Sequence, residues 1–319
     1  RNSRKEGPRF AEDYMVFSAD ILNQHRLYTV KINAKINLSL SVGRPKDGYH
    51  ELSSLALPIS VRDRITLIPS ERTFAAVTTK YDCFGEELPT LSPENNSAVR
   101  ALESYNDFFG TAHSFEIEIA KRIPVGGGLG GSSADAAGVI RLLCEIDGRP
   151  KKDALPVAES VGKDVPFMLF GENAVMSGTG GNLEFLPPLG ADITLICAES
   201  SNSTAEVFAE FDKSPSEFRP QAAKSLFDGL SELVSSFKAG ETSYPFYVGA
   251  MKRLDFSNDL LIPARRLNPR MGEIIDLLTS DGLSAFMTGS GSALFVPWKV
   301  DTKYLADRFG LKSLIVATK

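Results

Sequence analysis

Apolar and polar residues alternate without a break from Tyr28 to Val42. Successive side chains of a β-strand point to opposite faces, whereas a helix repeats every 3.6 residues, so this alternation predicts extended chain with one buried face. The segment is one long strand or two strands joined by a kink, and Gly43 to Tyr49 are expected to form the turn that follows. The apolar positions are Tyr28, Val30, Ile32, Ala34, Ile36, Leu38, Leu40 and Val42.

Length and charge limit the class of protein. The chain has 319 residues and a formal net charge of -5, which suggests two domains and argues against nucleic acid or an anionic membrane as the main partner. No apolar run approaches the roughly 20 residues of a membrane span. Three cysteines without a C-x-x-C pair fit a reducing compartment, so a cytoplasmic location is expected. The protein is expected to be a monomer or a homodimer.

The other periodic segments mix helices and strands. Pro187, Pro188 and Gly190 suggest a domain boundary, which divides the chain into residues 28–190 and 191–319. Residues 1–27 are expected to be an N-terminal extension that is poorly ordered or packed on the surface. Strands are expected at 64–68, 114–119, 193–197 and in a hairpin over 173–186, and helices at 97–108, 133–146, 153–161 and 272–279.

A glycine-rich loop follows the strand at 114–119. Five of the six positions from Gly126 to Gly131 are glycine, and a helix is expected to open near Ser133. Glycine lets backbone N–H groups turn toward an anion, and a helix N-terminus adds unpaired N–H groups and partial positive charge. The alternative is a flexible turn, but the density of glycine before a helix favours a phosphate-binding loop.

Three other kinds of phosphate-binding site have sequence signatures that can be looked for in this chain. A P-loop needs a lysine after the last glycine, and none follows Gly131. A protein kinase needs H-R-D and D-F-G motifs, which the chain lacks. The Rossmann spacing is present at Gly126, Gly128 and Gly131, so a nicotinamide-dependent oxidoreductase is an alternative. It ranks below a kinase, because the preceding strand carries Glu116 and Glu118 on an open face.

The loop resembles the P-x-x-x-G-L-(G/A)-x-S-S motif of the GHMP kinases. Six further motifs, in family order between residues 28 and 300, are similar to those of the 4-diphosphocytidyl-2-C-methyl-D-erythritol kinases within that family. The chain departs from the usual loop at Ser132, which replaces a glycine, and at Ala134, which replaces a serine. The six motifs are Ala34-Lys-Ile-Asn-Leu38, Asp47-Gly-Tyr-His-Glu51, Lys163-Asp-Val-Pro166, Ser203-Thr-Ala-Glu206, Asn258-Asp-Leu260 and Met287-Thr-Gly-Ser-Gly-Ser292.

The resemblance implies an α+β fold of two domains, with the active site in the cleft between them. It implies that ATP, with magnesium, phosphorylates the 2-hydroxyl of a CDP-linked methylerythritol in the non-mevalonate route to isoprenoid precursors. A divergent kinase for another small alcohol and a kinase-fold protein without turnover are the alternatives. The residues expected to bind ATP are Pro124, Val125, Gly126, Gly127, Gly128, Leu129, Gly130, Gly131, Ser132 and Ser133.

The resemblance also assigns roles to five other residues. Lys35 and Asp164 are expected to be catalytic, with Asp164 accepting the hydroxyl proton and Lys35 keeping that carboxylate ionised. From the sequence alone, a solvated lysine on an exposed strand face is the simpler interpretation of Lys35, and Asp164 could equally be the N-cap of a short helix. Asn37, Tyr49 and His50 are expected to bind the substrate, with the tyrosine stacking on cytosine and the histidine bonding its edge.

Overall fold

The computed structural model describes residues 27–46, 48–90, 92, 96–198 and 200–319. The expectation for the N-terminal extension therefore lies outside the described residues, apart from Leu27. Two sheets with helices packed on them make up the described chain, which is an α+β fold, as expected. Within this described part, no helix combines the length and the apolar character needed to cross a bilayer.

The first sheet has six strands and is built around one long hairpin. β1 (Tyr28–Lys46) pairs with β2 (Tyr49–Pro69) along almost its whole length. The strand order is β3-β4-β2-β5-β6. β4 and β5 pair with opposite ends of one edge of β2, and β1 pairs with its other edge. The remaining strands are β3 (Phe74–Val77), β4 (Phe115–Ala120), β5 (Ala174–Gly178) and β6 (Asn182–Phe185).

Four helices belong to this part of the chain, and the second of them packs on β1 and β2. The apolar side chains of β1, such as Ile32 and Ile36, are buried in the core there. Gly138 lies in this contact, because a Cβ at that position would be 2.5 Å from Cγ1 of Ile65. The helices are α1 (Ser97–Phe109), α2 (Gly131–Ile146), α3 (Leu155–Val161, after a 3-10 turn at Lys151–Ala154) and α4 (Val165–Phe170).

The second sheet is antiparallel throughout, with the order β10-β7-β9-β8. The chain enters it at β7, directly after β6 of the first sheet. The division at residue 190 stays a prediction. The elements are β7 (Asp192–Ile196), α5 (Thr204–Phe211), α6 (Ala222–Lys238), α7 (Tyr244–Met251), α8 (Leu261–Leu267), α9 (Pro269–Ser280), β8 (Phe286–Met287), β9 (Leu294–Val296), α10 (Thr302–Phe309) and β10 (Ser313–Ala317).

The expectation of one buried face is wrong for the middle of β1. Lys35, Asn37, Ser39 and Ser41 are at most 5% exposed, although they occupy the polar positions of the alternation. The reason is that later parts of the chain cover this face. The backbone of Leu40 donates to Ser257 O and accepts from Asp259 N, both at 2.9 Å, so β1 is hydrogen-bonded to the C-terminal half.

Candidate active site

One large cavity, of about 1000 Å³, lies where the two halves of the chain meet. It is bordered by β1, the start of β2, the glycine loop, the N-terminus of α4 and the N-terminus of α5. Every residue that the sequence analysis assigned to ATP, to the substrate or to catalysis lines this cavity. Ligand pockets usually measure roughly 300–1,000 Å³, so this cavity lies at the upper end of that range.

The glycine loop folds as the sequence predicted, and α2 begins at Gly131, two residues before the expected start. Gly126, Gly128 and Gly130 have φ values of 72°, 74° and 74°, a region that L side chains rarely adopt. β1 holds the loop in place, because Lys35 N donates to Leu129 O at 3.0 Å. The backbone conformation therefore requires glycine at alternate positions.

A second glycine turn, at residues 288–291, packs directly on this loop. A Cβ at Gly128 would be 2.3 Å from the carbonyl oxygen of Thr288, so no side chain fits there. Just after the turn, Ala293 N donates to Gly127 O at 3.1 Å. Close packing between the two loops thus requires glycine at 128.

Lys35 and Asp164 meet at the floor of the cavity, with Nζ 3.4 Å from Oδ2. Lys35 Nζ also donates to Oδ1 of Asn37, whose Nδ2 donates to Ser54 Oγ at 2.6 Å. Asp164 occupies the N-cap position of α4, but its side chain makes no capping hydrogen bond. The capping alternative therefore does not describe the carboxylate, and the alternative of a solvated lysine is wrong for Lys35, which is 4% exposed.

Aromatic side chains surround the other end of the cavity. The His50 ring is 4.9 Å from the ring of Phe208 on α5, and its Nε2 lies 2.8 Å from Oδ1 of Asp212. Tyr49 is 55% exposed, and the ammonium of Lys163 lies 4.0 Å from its ring centroid. The sequence analysis missed Phe208 and Asp212, although Phe208 follows the Ser203–Glu206 motif by only two residues.

A buried charge cluster lies beneath the glycine loop. Lys121 Nζ is 2.7 Å from Oδ2 of both Asp63 and Asp135, and all three side chains are at most 3% exposed. Burial raises the pKa of Asp135 to about 7, with Lys121 opposing the rise and Asp63 adding to it. Burial alone would lower the pKa of Lys121, but the two carboxylates raise it above its usual value. Only the position of Lys121 and Asp135 on either side of the loop could have indicated this cluster from the sequence.

Two family models match the chain. The GHMP kinases N terminal domain matches residues 96–172, and the GHMP kinases C terminal model matches residues 248–301. The 4-diphosphocytidyl-2-C-methyl-D-erythritol kinase of Thermosipho africanus is 31% identical over 287 residues, which cover 89% of this chain and 95% of that protein. The kinase of the same name from Mycolicibacterium gilvum is 34% identical over 272 residues, covering 82% of this chain and 79% of the relative.

Solved structures that are similar to this chain include other kinases. A crystal structure of 4-(cytidine 5'-diphospho)-2C-methyl-D-erythritol kinase has a TM-score of 0.66 and 29% identity, and the match covers 91% of this chain and 98% of that one. The homoserine kinase of Cytophaga hutchinsonii has a TM-score of 0.60 at 17% identity, covering 96% of this chain and 97% of that one. At that identity the likeness concerns the fold alone.

Proposed function

The chain belongs to the GHMP kinases, within them to the 4-diphosphocytidyl-2-C-methyl-D-erythritol kinases, and on this premise we propose which reaction it catalyses and with which residues. It transfers the γ-phosphoryl group of ATP to the 2-hydroxyl of 4-diphosphocytidyl-2-C-methyl-D-erythritol. This is a step in the non-mevalonate synthesis of isoprenoid precursors. As a member of this family, the protein is an ATP-dependent small-molecule kinase.

The pair of Lys35 and Asp164 is the observation that carries the proposal. The pair lines the same cavity as the glycine loop. A substrate hydroxyl bound beside Asp164 would therefore share this cavity with the triphosphate of an ATP molecule bound at the loop. In the proposed mechanism Asp164 accepts the proton of that hydroxyl as the new P–O bond forms, while the bond from the γ-phosphorus to the bridging oxygen breaks and ADP leaves. Lys35, 3.4 Å away, stabilises negative charge on the acceptor oxygen. Positioning and charge supply most of the catalysis in such transfers.

The glycine loop and the N-terminus of α2 are proposed to hold the triphosphate. Backbone N–H groups there supply donors without adding side-chain bulk. ATP brings magnesium, which prefers oxygen ligands and keeps several of its waters. The hydroxyls of Ser132 and Ser133 line the cavity and are oxygen ligands of this kind, so the site fits a nucleotide-bound magnesium ion.

The cytidine is proposed to lie between Tyr49, His50 and Phe208. A carboxylate only accepts, so Nε2 of His50 donates to Asp212, and the tautomer with its single proton on Nε2 leaves the other ring nitrogen as an acceptor. An acceptor suits the exocyclic amine of cytosine and not the carbonyl that uracil has in the same place. The substrate's cytosine, rather than its polyol, would then determine most of the selectivity.

The oxidoreductase alternative does not suit the fold. A dinucleotide-binding loop follows a strand in a parallel sheet. Here β4 is parallel only to the short strand β3, and all other pairings of its sheet are antiparallel. A kinase for another small alcohol would have no need of the aromatic end of the cavity. We also propose a cytoplasmic location, which the three free cysteines favour, and a monomer or a homodimer as the assembly.

A coupled assay of ADP release tests the proposed reaction. It compares 4-diphosphocytidyl-2-C-methyl-D-erythritol with homoserine, mevalonate and galactose at equal concentrations, and the expected result is turnover with the CDP compound alone. Turnover with one of the other three in preference would replace the proposed substrate. Absence of ADP release with all four, from protein that binds ATP, would favour the kinase-fold protein without turnover.

A further inference from the structure

Lys163 is a cation that the proposed reaction does not use. It directly precedes Asp164, it lines the cavity, and its ammonium lies 4.0 Å from the ring centroid of Tyr49. The side chain is exposed, and it makes no ion pair with a carboxylate of the described residues. Its charge is therefore available to a ligand.

The other cations of the cavity are placed differently. Lys35 is paired with Asp164, and Lys121 is paired with two buried aspartates. Arg100 lies on α1 at the glycine-loop end, where Ser97 Oγ donates to Ser132 O at 2.7 Å. Within the described chain, Lys163 is thus the unpaired cation at the substrate end of the cavity.

The order of these residues follows the order of groups in a CDP-linked polyol. Such a molecule has a base at one end, a hydroxyl at the other, and a diphosphate with two negative charges between them. In the cavity, Tyr49 and His50 lie at the proposed base end, and Asp164 lies at the hydroxyl end. Lys163 connects the two, since it is bonded to Asp164 in the chain and its ammonium rests on Tyr49.

Resting on the proposed function, we infer that Lys163 binds the diphosphate of the acceptor substrate. An ammonium on a flexible stem can leave the tyrosine ring and form charge-assisted hydrogen bonds to phosphate oxygens. The base of the substrate then takes the ring face that the ammonium vacates, or stacks on the opposite face. Lys163 is in this role a binding residue that selects diphosphate-linked acceptors over free alcohols.

Calorimetric titration with cytidine and with CDP tests this inference, with the nucleotide site filled by ADP beforehand. The parent is compared with Lys163→Met, which keeps the length and removes the charge, and with Lys163→Arg, which restores it. Lys303→Met is the matched control, because Lys303 is 82% exposed and paired only with a neighbour on its own helix. The Met variant at 163 should bind CDP about 10- to 100-fold more weakly, as expected for lost charge-assisted bonds.

Cytidine affinity should change by less than about threefold in the same variant. If the variant loses the same affinity for cytidine and for CDP, Lys163 only supports Tyr49. If its affinity for CDP is unchanged, Lys163 contacts no phosphate. Either result overturns the inference. A parent that binds cytidine and CDP equally well would overturn it too, while the cytidine pocket would stand. A parent that binds neither would overturn the cytidine assignment in the proposed function itself.

Steady-state kinetics separates binding from catalysis. The Lys163→Met variant should raise KM for the CDP-linked substrate and leave kcat and the KM for ATP within a fewfold of the parent. A large fall in kcat with an unchanged KM would place Lys163 on the transferred phosphoryl group instead and overturn the inference. Recovery of KM in Lys163→Arg would support it.

Discussion

The ammonium of Lys35 lies 3.4 Å from Oδ2 of Asp164, and the two side chains differ sharply in exposure, at 5% and 35%. The lysine is fixed in the protein interior by Asn37, while the carboxylate opens on the cavity. A substrate hydroxyl can therefore reach Asp164 without displacing its charge partner. The positive charge of Lys35 is therefore already in position when the substrate hydroxyl binds, and it need not move during the reaction.

Replacing Asp164 by asparagine keeps the shape of the side chain and removes its charge. We expect kcat to fall by about 100- to 10,000-fold, which is the usual range for a lost general base. The KM for ATP should change little, because the glycine loop is untouched. Asp153→Asn is the matched control, since Asp153 is exposed on the 3-10 turn before α3. A variant at 164 with more than about a tenth of the parent rate would contradict the assigned role.

Alanine at Gly128 should disrupt the contact between the two glycine loops. Its Cβ would be 2.3 Å from Thr288 O, and the φ of 74° is unfavourable for alanine. We expect a raised KM for ATP together with a lower Tm, because the same residue serves binding and packing. The sequence alone would predict the loss of affinity without the loss of stability.

Gly127→Ala is the natural comparison for that variant. At this position a Cβ meets only ordinary contacts, the nearest at 3.6 Å, and φ is not positive. Its Tm should stay within a few degrees of the parent, since substitutions without a clash or strain usually change stability by at most about 0.5 kcal/mol. If both variants lose the same stability, close packing at Gly128 is not what requires glycine.

The double change Tyr49→Ala, His50→Ala tests the cytidine end. Stacking is worth roughly 1–3 kcal/mol per base and a lost hydrogen bond about 0.5–1.5 kcal/mol. The KM for the CDP-linked substrate should therefore rise by about one to three powers of ten, with little change for ATP. A raised KM for ATP and an unchanged one for the CDP compound would mean that the two pockets are reversed.

Asp212→Ala tests how the histidine is oriented. Without the carboxylate 2.8 Å from Nε2, the imidazole is free to place its proton on either nitrogen. We expect the preference for a cytosine- over a uracil-linked substrate to fall by about 5- to 12-fold, as for a hydrogen bond worth about 1–1.5 kcal/mol. Unchanged base preference with a raised KM for both substrates would show that Asp212 acts only on the packing of α5.

The buried cluster predicts a dependence of stability on pH. The pKa of Asp135 is raised to about 7, so its folded form keeps a proton that the unfolded chain releases near pH 3.9. This contribution to stability is full below about pH 4 and is lost as the pH rises toward 7. Asp135→Asn cannot ionise, so its free energy of unfolding relative to the parent should rise by about 1–4 kcal/mol between pH 4.5 and 8. A pH-independent difference in urea unfolding would contradict this.

Some features could be predicted from the sequence because their signals are local. The period-two alternation predicted β1, and the glycines before a helix predicted the loop and α2. β2 was predicted only at residues 64–68, although it runs from Tyr49 to Pro69. Its first half is buried on both faces from Ser53 to Ile59, which removes the alternation on which the prediction depends.

The site residues that were missed depend on contacts between distant parts of the chain. His50 and Asp212 are 162 residues apart, and Lys121 and Asp63 are 58 apart. No local pattern marks which aspartate meets which partner. For the same reason the burial of Lys35 could not be foreseen, because Leu129, Gly130 and Asp164, which contact it, come about 90 to 130 residues later.

The hydrogen bond from Asn37 N to Thr288 Oγ1 joins residues that are 251 positions apart. A ribosome adds about 5–20 residues per second, so about 10–50 seconds pass between the synthesis of Asn37 and that of Thr288, 251 positions later. In the later part of that interval the glycine loop has been made, but the turn at 288–291 that packs on it has not. A growing chain is therefore expected to acquire nucleotide binding only at the end of synthesis, and such long-range closure favours slow folding.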